Sequence, residues 1–102
     1  MNYTESINSA PTVLIEFYAS WCPHCRHMMP IVEQITELLE GKAKVYQYDI
    51  DKHSDISYRE KVETIPTFII YSNGKEKWRH SGEIDGQILL NKVESYTDTN
   101  IE

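Results

Sequence analysis

Cys22 and Cys25 stand three residues apart in Trp21-Cys22-Pro23-His24-Cys25 and are the only 2 cysteines of the 102-residue chain. They come shortly after an apolar run, Val13-Leu14-Ile15-Glu16-Phe17-Tyr18. A strand that leads into a Cys-X-X-Cys opening a helix presents one reactive thiolate. It keeps the second thiol in reserve to close a disulfide. With Cys22 as helix N-cap, Pro23 takes the first helical position, where its fixed φ suits and its missing N–H costs nothing. The Cys22 sulfur can then accept from the Cys25 N–H, as N-cap side chains do. The helix dipole adds positive potential at the same place. Both effects favour the thiolate form of Cys22. His24 adds a further donor or partial positive charge, and Arg26 a full one if its side chain bends back. The spacing puts the two β-carbons roughly 5–6 Å apart, close enough for a disulfide after small adjustment.

Glu16 is the second candidate. A carboxyl in a run that is apolar on both sides reads as buried, with a raised pKa. It would take the proton that Cys25 must lose, directly or through water. The competing reading is an outward-facing residue on an edge strand. Metal ligation is the competing use of the cysteine pair, with His24, His27, His53 or His80. Tetrahedral zinc usually recruits a second pair such as another Cys-X-X-Cys. The sequence has none, so neither a metal nor a cofactor is expected.

Several elements must position these groups. Residues 4–10 form a short, weak helix, stopped by Pro11. Residues 12–18 form a strand whose continuous apolar residues suit a position covered on both faces. A loop over 19–21 leads into a long helix over 23–40. Met28, Ile31, Val32, Ile35, Leu38 and Leu39 recur there at helical spacing. Pro30 predicts a kink near Arg26–His27, and Gly41 caps the end. A second strand covers 43–49, and 51–62 is loop and short helix. A third strand covers 67–71, Asn73-Gly74 makes a hairpin turn, and a fourth strand covers 75–81. A last helix covers 85–96, and the polar tail 97–102 frays. Tyr46, Tyr48, Tyr58 and Tyr71 read as packing residues. The long helix joining the first two strands makes them parallel; the last two are antiparallel. This predicts an α/β domain: a mixed four-stranded sheet flanked by helices.

Net charge is −6, from 16 acidic and 10 basic residues. No basic run or basic-aromatic stripe suggests nucleic-acid binding. No stretch reaches the roughly 20 apolar residues that span a bilayer. The first residues, Met1-Asn2-Tyr3-Thr4-Glu5-Ser6, lack the basic and apolar regions of a signal peptide, so the cytoplasm is expected. In a reducing compartment a lone cysteine pair is catalytic or metal-binding rather than structural.

Trp-Cys-X-X-Cys after a buried strand, Glu16 upstream, the helix proline Pro30, Thr64-Ile65-Pro66-Thr67 and the Asn-Gly hairpin followed by Gly82 together resemble the thioredoxin family. The resemblance spans about residues 2–96. It implies the thioredoxin fold, with the family's first strand absent. Cys22 then looks like the attacking cysteine, Cys25 the resolving one and Glu16 the buried acid. Pro66 looks like the cis-proline facing the disulfide, rather than a trans-proline that starts a strand. In that form it would expose the Ile65 backbone for pairing with a peptide. Trp21, Ile50, Ile65 and Gly82 match the apolar patch that receives substrate. Two further departures from the family pattern matter. Pro-His fills the motif where thioredoxins usually have Gly-Pro, and it is found in the oxidising periplasmic protein DsbA. Gln47 stands where a lysine usually lies near the buried acid.

The resemblance implies a protein-disulfide reductase acting on disulfide-bearing client proteins and recharged by a thioredoxin-reductase-type electron donor. A disulfide oxidase or isomerase, and a non-catalytic thioredoxin-fold binding module, are the alternatives. Without the first family strand, strand 43–49 lies at a sheet edge. It is shielded there by the N-terminal segment or pairs with another chain; a monomer is expected.

Overall fold

The computed structural model describes residues 1–97. In chain order the elements are α1 (Tyr3–Ile7), β1 (Thr12–Tyr18), α2 (Pro23–Leu38), β2 (Lys44–Asp49), α3 (Ser54–Arg59), β3 (Thr67–Ser72), β4 (Lys75–Ser81) and α4 (Gly86–Ser95). The strands form one sheet in the order β2-β1-β3-β4. β1 and β2 run parallel, and β3 is antiparallel to both β1 and β4. The mixed four-stranded sheet is as expected, and β2 does lie at an edge. The expected fraying of the tail falls, from residue 98 onward, outside the described residues.

β1 is central, and Val13, Leu14, Ile15, Glu16 and Phe17 are all buried. Alternation along the strand divides them between two cores. Leu14 packs with Phe68 and Ile70 of β3, Met28, Val32 and Ile35 of α2, and Leu89 and Val93 of α4. Val13, Ile15 and Phe17 face the other way, toward Tyr3, Tyr48, Ile69 and Tyr71. The continuous apolar run is thus two interleaved faces, each covered by helix.

Local chemistry sets the helix ends. Asn2 caps α1, and Glu5 completes a reciprocal capping box, so this helix starts one residue earlier than expected; it ends at Ile7 rather than Ala10. Three hydroxyl contacts hold it on the sheet: Tyr3 to Tyr71 at 2.7 Å, Ser6 to Tyr48 at 2.7 Å, and Ser9, just beyond it, to Tyr46 at 2.8 Å. α2 continues through Pro30 and ends at Leu38, two residues short of expectation. There the Lys42 and Ala43 N–H groups both turn back to the Leu39 carbonyl, at 2.8 and 2.9 Å, with Gly41 at φ +84°. Tyr58 is not a packing residue: it is 87% exposed on α3.

Candidate active site

The site forms where β1 hands over to α2. Cys22 is the N-cap of α2, Pro23 is its first residue, and the Cys22 backbone is extended. Its Sγ accepts from the Cys25 N–H at 3.4 Å. The Arg26 N–H continues the helix onto the Cys22 carbonyl at 3.0 Å. Both cysteines are free thiols. They pack with Ala19 into a small core of their own, against Tyr18, Ile50 and Ile65. Burial pushes the Cys25 thiol up to about 12, and its neighbours Cys22 and Glu16 add to the rise; a backbone hydrogen bond at Ala19 opposes it.

Glu16 lies under this cap. It is 1% exposed, so the edge-strand reading fails. Its neighbours in register are Gln47 on β2 and Phe68 on β3. Gln47 Nε2 donates to Glu16 Oε1 at 2.8 Å. Burial pushes the carboxyl up to about 7, and the Gln47 bond only partly offsets this. A neutral amide satisfies the carboxyl without supplying the charge that would hold it ionised. The result is a buried acid poised to exchange a proton at neutral pH, within electrostatic reach of Cys25.

The expected substrate residues gather around Cys22. The Ile65–Pro66 bond is cis, and the Cys22 thiol faces the Ile65 carbonyl at 3.9 Å. The Gly82 N–H donates to the Pro66 carbonyl at 2.7 Å. Gly82 has φ +96°, and a Cβ placed there would meet nothing within 4 Å, so the space over Gly82 is open. Trp21 is 61% exposed. Its indole N–H donates to Asp51 Oδ2 at 2.8 Å, next to Ile50. Arg26 does bend back: Nη1 donates to the Ser20 carbonyl at 3.0 Å.

His24, expected to lend Cys22 a donor or partial positive charge, is turned toward Glu83. Its Nδ1 lies 2.6 Å from Glu83 Oε2, while the sulfur of Cys22 is met by the Cys25 N–H. His27 Nδ1 reaches the same carboxylate oxygen at 3.2 Å. The two imidazoles hold the Glu83 carboxyl below its ordinary range. Sequence reasoning passed over Glu83 and Asp51. Neither stands at a motif spacing from its partner; Glu83 is 59 residues from His24.

A central β1, a Cys-X-X-Cys capping α2, a cis-proline opposite the nucleophile and a buried acid beneath it define a dithiol–disulfide site on the thioredoxin fold. The thioredoxin family model matches residues 1–95, and the chain belongs to that family. It is 39% identical over 87 residues to chloroplastic thioredoxin Y of Oryza sativa, covering 85% of this chain and 52% of that protein. It is 38% identical over 73 residues to the thioredoxin of Rickettsia bellii, covering 72% and 70%. Among solved structures, a mutant thioredoxin from Halobacterium salinarum superposes with a TM-score of 0.87 at 28% identity, covering 96% of this chain and 85% of that one. The chain spans about half the length of the plant relatives it matches.

Proposed function

We propose that the chain reduces protein disulfides by dithiol–disulfide exchange. Cys22 thiolate attacks one sulfur of a client disulfide; a mixed disulfide forms and the client's other sulfur leaves as thiolate. Cys25 then passes its proton to the Glu16 carboxylate and attacks Cys22. The Cys22–Cys25 disulfide forms, and the client leaves as a dithiol once its thiolates are protonated. Two electrons have moved from the chain to the client. A dithiol-delivering reductase must return them, so the partners are disulfide-bearing proteins and a reductase of the thioredoxin-reductase type. Trp21, Ile50, Ile65, Pro66 and Gly82 bind the client around Cys22. The carrying observation is the pairing of two free thiols across one helix cap, with the Cys25 N–H on the Cys22 sulfur at 3.4 Å. We propose the cytoplasm as the setting, a reducing compartment in which a lone cysteine pair cycles rather than staples; a single chain carries the whole site and acts as a monomer.

The Pro-His motif raised an oxidase or isomerase as the alternative. The contact of His24 with Glu83, at 2.6 Å, supports the reductase, because that carboxylate offsets the charge the ring would lend to Cys22. Cys25→Ser tests the mechanism. It should accumulate mixed disulfides with client proteins that the wild-type chain resolves. A variant that captures none, in a chain that still binds a partner, would favour a non-catalytic binding module. Equilibration with glutathione tests direction. The potential should lie between thioredoxin's, about −270 mV, and DsbA's, about −120 mV, and closer to the first; a value at the DsbA end would establish the oxidase.

A further inference from the structure

Beside the cysteine pair, and separate from it, three metal-ligating side chains converge. His24 and His27 stand three residues apart on α2, so both rings project from one helix face. Their Nδ1 atoms lie 2.6 and 3.2 Å from the same Glu83 oxygen. One ligand atom from each of the three residues falls within 4.8 Å of the others, and all three residues are exposed.

We propose that His24, His27 and Glu83 bind one divalent transition-metal ion of the zinc class, with water completing its coordination. Two imidazole nitrogens and one carboxylate oxygen are a donor set suited to borderline cations, and three protein ligands leave a position open to solvent. Metal–ligand bonds of about 2.0–2.2 Å in a tetrahedron set donors roughly 3.4 Å apart. The present nitrogen–oxygen separations of 2.6 and 3.2 Å reach that spacing by small rotations of exposed side chains. The ion takes the place of the direct ring-to-carboxylate contacts. Glu83 is held for the purpose. Its own carbonyl is engaged by His80 Nε2 at 3.2 Å, and the preceding Gly82 is tied to Pro66 at 2.7 Å. The cysteines belong to a different set: Cys22 and Cys25 are 4% and 1% exposed and face Ala19, Ile50 and Ile65. Zinc was unexpected from sequence because a second cysteine pair is lacking. The fold supplies instead a carboxylate 56 residues beyond His27.

The test uses the oxidised 102-residue chain, in which the disulfide removes both thiolates as donors. Titration with Co²⁺ should give visible absorption saturating at one ion per chain, with no thiolate charge-transfer band, and Zn²⁺ should displace it. His27→Gln and Glu83→Gln should each weaken Co²⁺ binding by about tenfold or more, with far-UV circular dichroism unchanged. His53→Gln should leave it unaltered. Absence of saturable uptake by the oxidised wild-type chain would overturn the proposal. So would uptake that survives both His27→Gln and Glu83→Gln.

Discussion

At the scale of single residues, the site turns on a carboxyl that the fold buries and does not ionise cheaply. Glu16 has an ordinary value of 4.5 and is pushed up to about 7. Between those two values the folded chain holds a proton that the unfolded chain has released. Stability therefore falls as pH rises across that window and stays low above it. A shift of this size is on the order of 3 kcal/mol, a large share of a small domain's stability. Glu16→Gln keeps a partner for Gln47 and removes the titration. Its urea midpoint should match the wild type near pH 4.5 and exceed it at pH 8. Parallel pH dependence in the two chains would show that Glu16 does not titrate as described. The same substitution should slow release of the mixed disulfide, on the order of a hundredfold. The wild-type rate should rise as pH passes about 7, where Glu16 ionises, and Glu16→Gln should abolish that rise. Gain in stability together with loss of rate is the signature of a group retained for chemistry.

At the scale of elements, α4 shows how a polar cap supports a core. Asp85 Oδ2 accepts from the N–H groups of Gln87 and Ile88 at 3.1 and 3.2 Å, and the helix it starts carries the fully buried Leu89 and Val93. Asp85→Ala should cost about 1 kcal/mol, read as a lower urea midpoint, and leave disulfide reduction intact; a loss of activity at unchanged stability would place Asp85 in the site instead. Features of this kind were legible in the sequence. The Cys22 cap, the Asn73-Gly74 hairpin and the buried β1 each depend on neighbours a few residues away, and Glu16 revealed itself by its apolar flanks. Contacts between distant segments were not legible. The Tyr3–Tyr71 hydroxyl pair joins residues 68 apart, and it is such pairs, not helix propensity, that hold the five-residue α1. Tyr58 carries the same side chain as Tyr48 and Tyr71 but sits on the outer face of a one-and-a-half-turn helix. Only the path of the chain distinguishes it. His24 is the same case at the site: its type was visible, but its direction was set by Glu83, which follows β4, two strands over from β1 at the same end of the sheet.

At the scale of the whole molecule, the two sheet edges and the net charge bear on association. β4 alternates charges through Lys75, Glu76, Lys77 and Arg79, and an ion pair ties Arg79 to Glu76 at 2.9 Å. Among the described residues β2 pairs only with β1, which leaves its outer backbone groups to another strand. Its protection is the exposed Lys44 at its start, a residue type that discourages edge pairing. A charge of −6 on every copy adds a long-range repulsion that salt removes, the Debye length falling to about 3 Å in molar salt. The two protections are separable. The wild-type chain should sediment as a monomer in both low and molar salt, because Lys44 still guards the edge when repulsion is screened. Lys44→Val should remain monomeric in low salt and self-associate in molar salt. A wild-type dimer in low salt would mean that β2 pairs with a second copy in solution; the groove beside Cys22, on the α2 end of the sheet, would then need to be tested for closure by that pairing.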